Sequence, residues 1–238
     1  MATVLLIPAL ALFAPSGLAA RLLTASDADA RLVALSGRLG NGAADLFVEQ
    51  RFLGRITWHL KPLHLFRGRA VADLRLEEAG HSIATRAALT YDGRVELSGT
   101  DVEIREATLD RFLRPYAIEP TGTLTIAGGH AHAQVETGRL LEAEAGAHWS
   151  GGQVRYDLGG SSFVAEFPAL SADLGMEDGA LLVVVTDPEG HGLLEIVLHT
   201  DGWADVRVRY RFVAMSGYPW SDPPDPDLIV VEISEQVL

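Results

Sequence analysis

Apolar and polar residues alternate along several stretches of this chain. In Arg69–Glu77, Thr121–Ile126 and Asp205–Phe212 every second residue is apolar, and the residues between them are mainly polar or charged. The same alternation occurs in Gln153–Leu158. Because successive side chains of a strand point to opposite faces of a sheet, this period predicts strands with one buried face. Strands of this kind are typical of antiparallel sheets.

Turn-forming residues separate the predicted strands. Each predicted turn contains glycine, which adopts positive φ at no steric cost. These turns are Gly37–Gly42, Tyr91-Asp92-Gly93, Gly128-Gly129, Ser150-Gly151-Gly152, Asp187-Pro188-Glu189-Gly190 and Asp201-Gly202. Across the last two turns, Leu181–Thr186, Leu193–Leu198 and Ala204–Phe212 are predicted to form a three-stranded meander.

The pattern contains one helical exception. Leu109, Phe112 and Leu113 recur at helical spacing within Ala107–Tyr116, which predicts a short helix between two β regions. After the meander, the proline-rich stretch Ser221–Asp227 is predicted to be a rigid connector to a final strand in Leu228–Ile233. The sequence therefore predicts an all-β fold with an antiparallel curved sheet, an open barrel or a sandwich-like body, and excludes a doubly wound α/β fold.

An apolar segment precedes this body. Val4–Ala20 contains no charged residue, and Ser16 is placed to cap a short helix over Gly17–Leu23. Its length is near the lower limit for a membrane span, and Pro8 and Pro15 weaken a helix there. We expect residues 1–25 to be a membrane anchor and residues 26–238 to be a β-rich domain; a cleaved signal peptide and a buried soluble segment are the alternatives. The lack of a basic residue before Val4 disfavours both the anchor and the signal peptide.

Composition narrows the possible functions. The net charge of -13 repels phosphate backbones, so we expect no nucleic-acid partner. The chain has no cysteine, which excludes disulfides, thiolate metal sites and cysteine nucleophiles. We expect no cofactor.

No catalytic motif is recognisable. His130 and His132 would share one face of a strand, where a third ligand could complete a metal site, but this spacing is common by chance, so we predict no metal site. Gly159-Gly160-Ser161-Ser162 lacks the strand–turn–helix context of a nucleophilic serine. An enzyme would require distant residues such as Glu166, Asp173 and His191 to converge, and their spacing gives no reason to expect this.

A row of arginines is the most distinctive charged feature. Arg207, Arg209 and Arg211 would lie on one face of a strand, where their charges repel unless carboxylates lie opposite. Neighbouring strands could supply those carboxylates. Alternatively, the arginines form a protein-binding edge together with Tyr218 and Trp220, because aromatic and arginine side chains are frequent interface anchors. These five residues are the candidate protein interface.

Several stretches, in this order, resemble the type II secretion system protein N (general secretion pathway protein N) family. They are Ala19–Leu23, Leu35–Gly42, Ile56–Pro62, Gly122–Leu124, Trp149–Tyr156 and Asp178–Leu181. The resemblance implies a single-pass bacterial inner-membrane protein with its body in the periplasm. It also implies a non-enzymatic accessory role in protein secretion, with other secretion-system proteins as partners.

A second class of function is a lipid carrier. A curved sheet similar to the AsmA-like envelope proteins would hold acyl chains in an apolar groove, and alternating strands permit such a shape. The two classes differ in whether the apolar face closes on itself or leaves a continuous exposed trough.

Overall fold

The computed structural model describes residues 30–48, 50–137 and 139–236. In chain order the strands are β1 (Ala30–Arg38), β2 (Asn41–Val48), β3 (Arg51–Leu60), β4 (Arg69–Glu78), β5 (His81–Thr90), β6 (Arg94–Arg105), β7 (Ile118–Pro120), β8 (Thr123–Gln134), β9 (Arg139–Trp149), β10 (Gly152–Leu158), β11 (Ser161–Phe167), β12 (Leu170–Glu177), β13 (Ala180–Thr186), β14 (Gly192–Leu198), β15 (Trp203–Arg209) and β16 (Ile229–Gln236). The α-helices are α1 (Pro62–Leu65), α2 (Glu106–Leu113) and α3 (Tyr210–Met215), and Arg114–Tyr116 forms a 3-10 helix.

Thirteen of these strands form one large antiparallel sheet. Their order is β1-β2-β3-β4-β5-β6-β8-β9-β12-β13-β14-β15-β16, and the remaining three form a small sheet in the order β11-β10-β7. In the described part of the chain, β1 and β16 are the two edges of the large sheet, so it remains open. The predicted all-β antiparallel fold is confirmed, with an open sheet and a small second sheet. The predicted N-terminal helix over residues 1–25 lies outside the described residues.

Around β4 the large sheet has one apolar and one polar face. On one side, Leu76 of β4 pairs with Ile56 of β3 and Ile83 of β5. On the other side, Glu77 pairs with Arg55 and Ser82. Register is therefore fixed by the predicted alternation, because a shift of one residue would exchange the two faces.

β-Bulges interrupt the ladder at several places. Gly128 and Gly129, predicted as a turn between strands, lie inside β8, where the register with β9 shifts between Ala127 and His130. Gly128 has φ of 65° and its N–H donates to Asp101 Oδ1 at 2.9 Å. The turn prediction is thus wrong here, because glycine is equally suited to a bulge, which bends and twists a strand.

The meander is confirmed over β13, β14 and most of β15, but its last strand ends early. Ala204–Phe212 was predicted as one strand, whereas β15 stops at Arg209 and Tyr210–Met215 is helical. The N–H of Tyr210 donates to Leu228 O at 2.9 Å and the N–H of Arg211 donates to Pro226 O at 2.9 Å. These bonds to the end of the proline-rich connector and to Leu228 replace the hydrogen bonds of the sheet. The alternating pattern of residues 204–212 could not indicate this change, because the partners lie in a later part of the chain.

Three further local predictions agree with the structure. The helix predicted in Ala107–Tyr116 is present as α2 followed by the 3-10 helix, and Leu39-Gly40 turns the chain from β1 to β2. The final strand predicted in Leu228–Ile233 is present as β16.

Candidate functional site

Three segments leave the large sheet and meet over the same part of it. Residues 106–120 contain α2 and β7, residues 150–169 contain β10 and β11, and residues 210–228 contain α3. A cleft of about 710 Å³ lies between these segments and the large sheet. Strands β8, β9 and β12 border it together with β15 and β16, although β13 and β14 separate the two groups in the sheet. This half of the sheet is therefore curved around the cleft.

Aromatic contacts hold the small sheet against the large one. The ring of Phe167 on β11 lies 6.3 Å from that of Trp149 on β9 and 5.5 Å from that of Phe212 on α3. Tyr156 of β10 stacks on Phe163 at 5.3 Å. Phe167 is only 8% exposed. Such ring pairs contribute beyond the area that they bury, so they position the small sheet over the large one.

Two glycines allow the turns at the base of the cleft to approach closely. Gly122 precedes β8 with φ of 89°, and a Cβ there would lie 2.4 Å from the carbonyl oxygen of Gly151. Gly151 has φ of 76°, and a Cβ there would lie 2.6 Å from the backbone of Pro168. Any larger residue would separate these turns, so both positions require glycine.

Polar atoms of the cleft side chains are bonded within the protein. Trp149 Nε1 donates to Thr121 O at 3.0 Å. The Tyr156 hydroxyl donates to Ser216 O at 3.0 Å, and the Ser216 hydroxyl donates to Val213 O at 2.7 Å. Asp157 also borders the cleft, but it alternates with Tyr156 along β10, so its side chain lies on the opposite, exposed face of the small sheet. The interior of the cleft is thus apolar.

The cleft continues into a row of apolar side chains that crosses the large sheet. Each strand of the large sheet except β1 contributes one residue that is paired in register with the next, and all twelve residues are apolar. We call this row the apolar stripe: Ala44, Ile56, Leu76, Ile83, Val102, Ile126, Ala147, Ala172, Val185, Leu194, Val208 and Val231. Ala44 is buried and the others are half-buried. Val208 and Val231 also line the cleft, so the stripe leads from the cleft towards the β2 side of the sheet.

The arginines of the predicted interface all have carboxylate partners within the chain. Arg207 Nε donates to Glu232 Oε1 at 3.0 Å and Arg209 Nη2 to Glu195 Oε1 at 2.6 Å. Arg211 Nη2 donates to Asp227 Oδ1 at 3.0 Å. Arg211 belongs to α3 rather than to a strand, so the prediction of three arginines on one strand face is wrong.

The two aromatic residues of that predicted interface belong to the cleft. Tyr218 and Trp220 line it, with 37% and 39% of each residue exposed. Trp220 packs edge-on against Tyr210 at 5.6 Å, and Tyr218 lies 5.7 Å from Phe163. They thus form part of the cleft wall.

The two histidines of β8 face glutamates of β9. His130 pairs in register with Glu144 and His132 with Glu142. His132 Nδ1 lies 3.1 Å from Glu142 Oε2, and His130 Nε2 lies 3.7 Å from both glutamates. The ring centres of the histidines are 6.5 Å apart. This arrangement places each histidine beside a glutamate of the neighbouring strand, as in other cross-strand side-chain pairs.

Asp187, Glu189 and His191 are close together in the turn between β13 and β14. Asp187 Oδ1 accepts hydrogen bonds from the N–H groups of Glu189 at 3.0 Å and His191 at 2.8 Å, and its Oδ2 lies 3.0 Å from His191 Nδ1. Burial alone would raise the pKa of Asp187, but the bonds from the backbone and ring of His191 and from Glu189 hold the pKa below its usual value of 3.8. These bonds explain the cluster as a stabilised turn.

The three residues considered for an enzyme belong to separate surroundings. Glu166 accepts a hydrogen bond from Gln153 at 3.2 Å within the small sheet, whereas His191 is bonded to Asp187. Asp173 lies on β12 beside a shallow pocket. Within the described residues, none of the three forms a hydrogen bond or ion pair with another. The Gly159-Gly160 pair is a turn between β10 and β11, and no helix follows it.

Sequence reasoning missed the cleft itself. Its walls come from segments more than one hundred residues apart, such as α2 and α3, and no local pattern indicates that these meet. Phe163, Phe167 and Phe212 were the available signal, because apolar aromatics in short, turn-flanked elements need a common core.

Comparisons with known proteins give one match. A family model described as "Type II secretion system (T2SS), protein N" matches residues 28–219. Searches of curated proteins and of solved structures give no match. In the described residues, no helix is long and apolar enough to cross a membrane.

Proposed function

The chain belongs to the type II secretion system protein N family, and on this premise we propose that it is a non-enzymatic accessory component of the type II secretion apparatus in the bacterial envelope. The single observation that carries the proposal is the match over residues 28–219, which covers most of the chain and nearly all of the β-rich body. Residues 1–25 anchor the chain in the inner membrane, and the body from residue 26 onward works in the periplasm.

The contact with other secretion-system proteins is centred on the edge strand β16. Its outer side is not paired within the described chain, and Ile229 and Ile233 are 41% and 51% exposed. An exposed apolar edge of this kind accepts an extended segment of another protein as an additional strand. Glu235 on the same strand favours a partner segment that carries basic residues.

The opposite edge is less suited to such pairing. In β1 the register shifts between Val33 and Ser36, and Ala34 adopts φ of 51°. A bulge twists an edge strand away from a regular ladder, which discourages pairing with another chain. The arginine row borders the β16 surface through the Arg207–Glu232 ion pair, and Tyr218 and Trp220 lie at the cleft beyond it.

Site-specific photo-crosslinking in intact cells tests this proposal. A photo-reactive amino acid at Ile233 is expected to crosslink the full chain to another component of the secretion apparatus. The matched position is Val33 on the other edge, which is 50% exposed and is expected to give no such product. Crosslinking of both positions to the same proteins, or of Ile233 to no secretion component, would count against the interface and the proposed role.

Anchoring is tested separately by fractionation. The full chain is expected to remain with inner membranes after washing with alkaline carbonate, and N-terminal sequencing of that material is expected to find the first residues in place. A mature chain that begins near residue 25, recovered in the periplasmic fraction, would replace the anchor by a cleaved signal peptide.

A further inference from the structure

The size and lining of the cleft fit a small apolar ligand. Its volume of about 710 Å³ lies within the range of roughly 300–1,000 Å³ that is typical of ligand sites. Side chains such as Leu113, Val154 and Val208 form its walls. Tyr116 at its border is 74% exposed, which suits an aromatic ring placed between an apolar cavity and water.

The bonding of the cleft atoms distinguishes an aliphatic chain from a peptide. The polar atoms of Trp149, Tyr156 and Ser216 are engaged within the protein, and β10 at the cleft bonds its N–H and C=O groups to β7 and β11 on its two sides. A peptide that entered the cleft would bury backbone groups without partners, at a substantial energetic cost. A hydrocarbon chain has no such groups and therefore avoids this cost.

The apolar stripe extends the same environment beyond the cleft. Its twelve residues cross the sheet at one residue per strand, and strands are spaced about 4.8 Å apart, so the stripe is roughly 50 Å long. An aliphatic chain could therefore lie along the stripe outside the cleft without meeting a charged side chain of that row.

The net charge of the protein selects the headgroup. The whole chain carries a net charge of -13, so an anionic headgroup is repelled, whereas a zwitterionic headgroup without net charge is not. We propose that the cleft and the apolar stripe bind the aliphatic chain of a phospholipid whose headgroup is zwitterionic.

This inference does not depend on the proposed place in the secretion apparatus, and its test uses a different readout. Bacteria that express the full chain are grown with a palmitic acid analogue bearing a diazirine, which cells incorporate into phospholipids. After illumination the chain is purified under denaturing conditions, and its peptides are analysed by mass spectrometry. The expected adducts lie on peptides of β10 and β15 and have the mass of a zwitterionic phospholipid.

Substitutions that fill the cleft provide the decisive comparison. Val154→Trp is expected to lower the yield of cleft adducts about tenfold, the loss expected when about two methylene groups are excluded from apolar contact. Val164→Trp is the matched control, because Val164 lies on the opposite face of the small sheet and is 52% exposed. Val208→Phe fills the cleft from the large sheet and serves as a second variant, and thermal melting verifies that each variant folds.

The adduct masses also test the headgroup. The ratio of zwitterionic to anionic phospholipid among the adducts is expected to exceed the ratio in the membranes of the same cells. Adducts confined to residues 1–25, an unchanged yield in folded Val154→Trp and Val208→Phe, or adducts of free fatty acid alone would each overturn the proposal. Crosslinking at Ile233 to secretion proteins would be unaffected by any of these results.

Discussion

The turn between β13 and β14 gives a prediction whose size follows from three hydrogen bonds. The Asp187 side chain is 3% exposed and accepts bonds from two backbone N–H groups and from the ring of His191. Asp187→Ala removes all three. A hydrogen bond to a charged group contributes about 1.5–3 kcal/mol, but bonds to one carboxylate are not additive and water can reach the freed N–H groups. We therefore expect a loss of about 2–3 kcal/mol in the free energy of unfolding.

Two further variants separate the contribution of the Asp187 charge from that of the His191 ring. Asp187→Asn keeps an oxygen for the backbone N–H groups and loses the charge, so a loss of about 1 kcal/mol is expected. His191→Ala removes only the ring contact, and because 48% of that side chain is exposed, the loss should not exceed about 1 kcal/mol. Glu189→Gln in the same turn is the control, since Glu189 is exposed and its side chain makes no bond to Asp187.

The contribution of Asp187 to the stability of the fold depends on pH in a definite direction. The pKa of Asp187 in the folded protein is lower than its usual value of 3.8. The ionised carboxylate therefore stabilises the fold above about pH 4, and this stabilisation is lost as the pH falls through the folded pKa. The difference in stability between the wild type and Asp187→Asn is expected to shrink between pH 6 and pH 3.

Thermal unfolding of the full chain in a non-ionic detergent, followed by circular dichroism, measures these effects. For a domain of this size, 1 kcal/mol corresponds to about 2–4 °C, so Asp187→Ala should lower Tm by about 4–12 °C. A loss below about 0.5 kcal/mol in Asp187→Ala would refute the reasoning, because surface substitutions alone produce changes of that size. A pH-independent difference between wild type and Asp187→Asn would show that the charge is irrelevant.

Three further predictions concern the packing of the large sheet. Thr108→Val should leave the free energy of unfolding unchanged or raise it by up to about 1 kcal/mol, because Thr108 is fully buried and its hydroxyl has no hydrogen-bond partner in the described part of the chain. Urea unfolding measures this change, and a loss above about 1 kcal/mol would indicate a partner for that hydroxyl. Gly80→Ala should lower the free energy of unfolding by about 1–3 kcal/mol, since the new Cβ would lie 2.1 Å from Thr108 Oγ1. Gly175→Ala is the control, because a Cβ there would meet open space, and no measurable loss is expected in the same assay. Leu193→Ala should lower the free energy of unfolding by about 2–5 kcal/mol, because Leu193 has no exposed surface. The control Leu141→Ala, at a residue that is 47% exposed, should lower it by less than about 1 kcal/mol, and equal losses would contradict the assignment of Leu193 to the core.

The arginine row shows what an alternating sequence pattern can predict and what it cannot. Alternation placed Arg207 and Arg209 on one face of β15, and the structure agrees. The carboxylates that pair with them lie on β14 and β16, in agreement with the expectation that neighbouring strands could supply them. Arg211 had the same period in the sequence but lies in α3, because contacts of Tyr210 and Arg211 with the distant connector stop the strand.

The sequence by itself determined the strands, most turns and the two faces of the large sheet, because the two-residue period of a strand is a local property that needs no knowledge of its neighbours. It also carried the family membership, which rests on residues in order along the chain. Tertiary structure alone decided that α2, the small sheet and α3 meet over one part of the sheet, that His132 faces Glu142, and that Val208 and Ala44 belong to one apolar stripe. These features depend on which distant segments pack together, and that choice is made by the burial of whole faces rather than by any single stretch of residues.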